Sequence, residues 1–219
     1  MILKIKDLNF KFKDKIILEN SNISFYSNKI TGIVGKNGVG KTTFFNLINN
    51  KYDFEGNIFL DNNTMNSLDV ILVNSVPNLP DFLTGEEYIK YFLKITNKEE
   101  LNIKQYLEML NFNEEDLKKL IIKYSHGMKN KLEILIVILL NPKVILLDEP
   151  ITNLDIISQE EIKNILLKLK EDHIVIISTH LIDFAMELCD EIVLMNNYKL
   201  TKIDKNKKHI INSLKGTYV

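Results

Sequence analysis

The sequence predicts a single α/β unit: a mainly parallel core sheet covered by helices on both faces, an antiparallel β meander ahead of it, and an inserted α-helical subdomain. Three observations predict it. Short alternating apolar runs occupy the stretch from Ile2 to Tyr26, the hydrophobic period changes from 2 to 3.6 after Thr84, and strands alternate with helices from Val144 onward. At 219 residues the chain is long enough for one sizeable core with a smaller satellite, and too short for two independent domains. One domain over residues 1–219 is therefore expected, with residues 77–124 inserted in it as the helical subdomain.

Taken in order, the runs Ile2 to Phe12, Ile16 to Leu18 and Ile23 to Tyr26 are broken by Lys-Asp-Lys and Asn-Ser-Asn, which is the pattern of a meander. An apolar run, Ile30 to Val34, then leads into Gly-Lys-Asn-Gly-Val-Gly-Lys-Thr-Thr from Gly35 to Thr43, followed by helix-like Phe44 to Asn50. Gly56 to Leu60 and Val70 to Val73 read as strands, with the turn-like Asp61-Asn62-Asn63 between them. Pro77 and Pro80 interrupt the chain. Beyond Thr84, Tyr88, Tyr91, Phe92 and Ile95 share one helical face, and further helices are expected over Ile103 to Leu110 and Glu114 to Ile122. Sheet character returns at Val144 to Leu147 and His173 to Ser178, then at Ile192 to Met195, separated by helices over Ile156 to Leu169 and Leu181 to Leu188. Tyr198 to Ile203 adds an edge strand, and the basic tail at Lys205 to Lys208 is expected to be a solvated end.

Gly35 to Thr43 carries the phosphate-loop pattern G-x-x-x-x-G-K-[ST] between a strand and a helix. Gly35, Gly38 and Gly40 let the backbone curl, so the N–H groups of Lys36, Asn37, Val39 and their neighbours can point at polyphosphate oxygens, and the helix N-terminus adds its dipole. Lys41 is a point charge able to reach the β and γ phosphates, and the Thr42 hydroxyl, with Thr43 beside it, is placed for Mg2+. A nucleoside triphosphate is thus expected, with Mg2+ as its cofactor.

A second chemical signal is Val144-Ile-Leu-Leu147 running into Asp148-Glu149, an apolar strand ending in two carboxylates where α/β sheets bind ligands. Asp148 is the candidate metal ligand. Glu149, projecting differently, is the candidate general base for attack on the γ phosphate. Ser125, in Tyr124-Ser125-His126-Gly127-Met128, is placed to cap a following apolar helix, and His180 closes Ser178-Thr179-His180 at another strand's carboxyl end.

Composition narrows the field. A net charge of −1 gives no electrostatic footprint for nucleic acid, which is not expected as a partner. One cysteine, Cys189, can form no internal disulfide and sits among apolar residues, as a packed thiol in a reducing compartment does. Met1 to Asp7 alternates like a strand rather than a signal peptide, and the longest apolar run, Ile134 to Leu140, is far below the ~20 residues a membrane span needs. The sequence contains no arginine. An arginine finger in cis is excluded, so transition-state charge falls to Lys41, Mg2+, backbone N–H groups or a partner.

With these pieces in this order, the chain resembles the ATP-binding cassette (ABC) ATPases, P-loop NTPases that serve as stand-alone nucleotide-binding subunits of transporters; the resemblance covers Ile2 to about Asp204. It implies ATP and Mg2+ as ligands. Gly35 to Thr42 matches Walker A, Val144 to Glu149 Walker B with its catalytic glutamate, Ser125 and Gly127 the signature motif, Asn153-Leu154-Asp155 the D-loop, and His180 the switch histidine. Phe12 falls where the family stacks an aromatic ring on adenine. The resemblance further implies a head-to-tail homodimer, or a heterodimer with a second ABC ATPase, in which one subunit's signature completes the other's nucleotide site. An integral membrane permease is the implied partner, with the chain peripheral on the cytoplasmic face of the membrane and working as an exporter. Departures are His126 in place of a common glycine, Met128 in place of a typical glutamine, Asn153 for a frequent glycine, and Ser75, beside Asn74, at the Q-loop position. Two rival readings are an ATPase of this family with a non-transport target and a non-hydrolysing regulatory module; Glu149 and His180 oppose the second.

Overall fold

The computed structural model describes residues 1–98 and 101–215, so Glu99 and Glu100 of the expected helical subdomain, and residues 216–219, lie outside the described residues. The chain opens with β1 (Ile2–Phe12) and β2 (Lys15–Tyr26), followed by β3 (Ile30–Val34) and α1 (Lys41–Ile48). After β4 (Glu55–Leu60), β5 (Asn63–Thr64) and β6 (Val70–Val73) come α2 (Gly85–Ile95), α3 (Lys104–Met109) and α4 (Glu114–Leu117). Then α5 (His126–Leu140) leads to β7 (Val144–Asp148), α6 (Ile156–Leu169), β8 (Ile174–Thr179) and α7 (Ile182–Leu188). The chain closes with β9 (Glu191–Asn196), β10 (Lys199–Ile203) and α8 (Lys207–Lys215).

Two sheets result, and the predicted mixture of parallel core and antiparallel meander is present. The larger runs β10-β9-β3-β8-β7-β6, all parallel except the edge strand β10; the smaller, antiparallel, runs β2-β1-β4-β5. β3, β7 and β8 are buried along their whole length, as strands covered on both faces must be. Their alternate residues feed two cores. Val144, Leu146, Ile174 and Ile176 face α1 and the meander, whereas Ile145, Leu147, Val175 and Ile177 face the other helices. Between the two sheets, α1 buries Phe44, Phe45, Leu47 and Ile48 completely, which fixes the helix that follows the phosphate loop.

Several expectations need correction. Ile16–Leu18 and Ile23–Tyr26 are parts of one long strand: between them Glu19, Asn20 and Asn22 are exposed while Ser21 is buried, and the strand keeps pairing with β1 across register shifts. Gly56–Leu60 belongs to the meander sheet, paired with β1, and does not extend the parallel sheet. Over Glu114 to Ile122 the helix ends at Leu117, and Ile121–Lys123 forms a 3₁₀ turn whose Ile121 N–H is taken by Leu83 O at 2.8 Å. Lys205 to Lys208 are exposed as expected, but the chain does not end loosely there: α8 covers Lys207–Lys215 and buries Ile210, with Lys207 paired to Asp183.

Candidate functional site

Parallel register brings the chemistry together. Val34 pairs with Thr179 and Asp148 with Ser178, so the carboxyl ends of β3, β7 and β8 lie side by side where the phosphate loop leaves the sheet. The loop's glycines are demanded locally. At Gly40, φ is +116° and an added Cβ would stand 2.5 Å from Ile17 Cγ2; at Gly35 it would stand 2.8 Å from Met195 O. Gly40 is also the N-cap of α1 and supplies no side chain to it, leaving the first-turn N–H groups directed at the loop.

The cleft over this junction, about 460 Å³, is lined by Phe12, Lys15, Ile17, Asn37, Gly38, Gly40, Lys41, Thr42, Thr43, Ser75, Asp148 and Glu149. Lys41 is buried, its Nζ donating to Gly35 O at 3.0 Å and standing 3.9 Å from Glu149 Oε1. Burial pulls its pKa below the ordinary lysine value, against the opposing pull of Glu149 and Asp148. Thr42 Oγ1 donates to Asp148 Oδ2 at 2.6 Å, and Ser178 Oγ donates to Asp148 Oδ1. A hydroxyl and a carboxylate, both hard oxygen donors, side by side at a phosphate loop fit Mg2+, which takes one or two protein oxygens and draws the rest from phosphates and water.

Glu149 leaves the strand with φ +52°, a left-handed backbone held by its own N–H donating to Ser178 O at 3.0 Å. The turn swings the side chain toward His180, whose Nδ1 lies 2.9 Å from Oε1. The other carboxylate oxygen, Oε2, is buried without a hydrogen-bond partner. A carboxylate held at the phosphate loop between Lys41 and His180 is chemically able to accept a proton from water.

Phe12, at the end of β1, reaches the cleft with 48% of its surface exposed. Ser75 lines the cleft as well, while Asn74 is exposed and is not among the lining residues. Ser125 and Gly127 are not among them either. Ser125 caps α5, accepting from Met128 N at 3.2 Å, and a Cβ on Gly127 would lie 3.1 Å from Ser158 Oγ. Ser158 is in turn held by Asp155, the N-cap of α6, whose carboxyl is kept below its ordinary range by the Ser158 N–H and then its hydroxyl. The Ser125–Gly127 turn and the Asp155–Ser158 turn therefore form a second cluster, at the starts of α5 and α6.

One group is missed by reading Ile134–Leu140 and its surroundings as apolar. Glu133 on α5 accepts from Asn78 N at 3.1 Å through Oε1, its Oε2 is buried without a partner, and burial pushes its pKa up to about 7 despite that hydrogen bond. The folded state thus holds a proton that the unfolded chain releases near the ordinary value of 4.5, so stability falls as pH rises through the interval from 4.5 to about 7 and stays lower above it. Glu133→Gln is expected to raise the thermal midpoint at pH 8 by roughly 4–8 °C and to change it little at pH 5. Thermal unfolding at the two pH values checks this, and an equal shift at both would remove the buried carboxylate as the cause. Cys189, likewise buried, has its thiol pushed up to about 12, so it is a packing residue against Gly32.

A family model described as ABC transporter matches residues 18–152. Human ATP-binding cassette sub-family A member 6 is 28% identical over 90% of this chain, which spans only 13% of that protein's length. The phosphate import ATP-binding protein PstB of Mycoplasma pneumoniae is 30% identical over 94% of the chain and 70% of its own length. Among solved structures, cbiO1 from Clostridium perfringens, part of the ABC transporter complex cbiONQ, superposes with a TM-score of 0.78 at 25% identity, covering 97% of this chain and 91% of that one.

Proposed function

We propose, on the premise that the chain belongs to the ABC transporter family as an ATP-binding subunit, that it hydrolyses Mg-ATP and thereby drives a separate integral membrane permease. The observation that carries this reading is the placing of Glu149, through Oε1, between Lys41 of the phosphate loop and His180. In this reading Phe12 stacks on adenine, and the N–H groups from Gly35 to Thr43 with Lys41 hold the polyphosphate. Thr42 and Asp148 would hold Mg2+, which when bound neutralises charge on the β and γ oxygens. Glu149 takes a proton from the attacking water as its oxygen bonds to the γ phosphorus and the bond to the β–γ bridging oxygen breaks. His180 keeps the carboxylate turned toward that water.

Two such subunits close head to tail on two nucleotides. Support comes from the second cluster: Ser125 is exposed at the start of α5, outside its own chain's cleft, and beside Asp155 the apolar Ile156 and Ile157 are 79% and 72% exposed. A second subunit is what these groups would meet. Ser75 reaches the nucleotide only through a bridging water, being two bonds and an amide shorter than the family's glutamine, which makes coupling to the permease looser. No described helix is long and apolar enough to cross a membrane. The membrane-spanning part of the transporter is, in this reading, the partner, with this chain on its cytoplasmic face. Export is the direction expected from the sequence; the cleft itself has no feature that selects it, and PstB is named for import. Purified protein should release phosphate from ATP in a Mg2+-dependent manner; ATP binding without any turnover would favour the regulatory module instead.

A further inference from the structure

Phe12 alone is a poor platform: a half-exposed ring at a strand end has little to fix its side-chain torsions. The ring is not alone. Tyr52 stands edge-on to it, with centroids 6.0 Å apart and planes at 72°, and is itself stacked on Phe10 at 5.7 Å and 26°. Phe10 and Phe12 are two residues apart on β1 and so share a face, and both Phe10 and Tyr52 pack against the core that contains α1. Tyr52 is also tied to α1 through the backbone. Just past the helix end, Asn50 N donates to Leu47 O at 3.1 Å with Asn50 at φ +52°, and Lys51 N donates to Asn46 O at 2.9 Å. The residue that braces the ring thus hangs from the far end of the helix whose first residue is Lys41.

We propose that Tyr52 is a positioning residue for the nucleobase: it sets the Phe12 ring at a fixed place relative to the phosphate loop, so that the base and polyphosphate of one nucleoside triphosphate are gripped at a single spacing. The inference rests on the reading that Phe12 stacks on the base. An edge contact between aromatic rings is worth a factor of about three to ten in an equilibrium, and here the factor would be paid only by ligands that carry a base.

Calorimetric titration with Mg-ATP and with inorganic tripolyphosphate, which has no base, separates the two ends of the site. Tyr52→Ala should raise the Kd for ATP about threefold to tenfold and leave that for tripolyphosphate unchanged, whereas Tyr52→Phe, which keeps the ring, should bind ATP as the wild type does. Tyr52→Leu fills the core without a ring and should reproduce the ATP-selective loss even if the alanine variant folds poorly. Equal weakening of both ligands would overturn the proposal, since the change would then be a general disturbance of the phosphate loop. Wild-type ATP affinity in Tyr52→Leu, with a clear loss in Phe12→Ala, would also overturn it while leaving base stacking intact. If Phe12→Ala itself binds ATP normally, the stacking reading fails and the brace has nothing to position.

Discussion

Glu149→Gln should lower ATP turnover by at least ~10², leave ATP affinity within a few-fold of wild type, and trap an ATP-bound dimer visible by sizing chromatography. The expectation follows from what glutamine keeps and what it loses. Its amide oxygen can still accept from His180 Nδ1, and the backbone at φ +52°, held through Ser178 O, does not depend on the side chain. Its amide group is not basic enough to take a proton from water. Polyphosphate contacts through Lys41 and the loop are untouched, so binding survives while chemistry stops. Undiminished hydrolysis would remove Glu149 from the mechanism.

The second large effect comes from sharing sites between subunits. Ser125→Glu puts a negative charge where the partner's γ phosphate would sit, and Lys41→Ala removes the cation that meets the β and γ phosphates; each variant alone should be nearly inactive. Mixed in equal amounts they should recover activity, because a mixed dimer has one site with both groups intact and one with neither. Random pairing makes half the dimers mixed, so the ceiling is about a quarter of wild-type turnover. Recovery that tracks the mixed fraction supports the head-to-tail arrangement. Two inactive proteins that stay inactive on mixing, while each still binds the other with ATP present, would place Ser125 outside the site.

The parts of this protein that sequence displays most plainly are those whose chemistry is local. Gly35 to Thr43 must be contiguous to curl around an anion, and Asp148 with Glu149 must follow an apolar strand, so spacing alone picks them out. The alternation from Val144 onward is equally plain, since strands buried on both faces have to be apolar throughout. What is hidden depends on contacts distant in sequence. Nothing local to Tyr52 indicates that it meets Phe10 and Phe12, and nothing local to Glu133 indicates that its carboxylate will be buried and bonded by the Asn78 N–H. The unity of β2 is hidden by its polar run Glu19-Asn20-Ser21-Asn22, which stays in the strand through irregular pairing with β1 and buries Ser21. For α8, a lysine-rich start masks a helix that is held by Ile210 and by the pairing of Lys207 with Asp183.

Hydrolysis in this cleft is proposed to serve a membrane partner. The most direct test is affinity purification of the tagged chain from detergent-solubilised cells, followed by a phosphate-release assay on what is recovered. An integral membrane protein is expected in stoichiometric amount, with an ATPase rate higher in the complex than in the isolated chain and abolished by Glu149→Gln. Recovery of an active ATPase with a soluble partner and no membrane protein would contradict it.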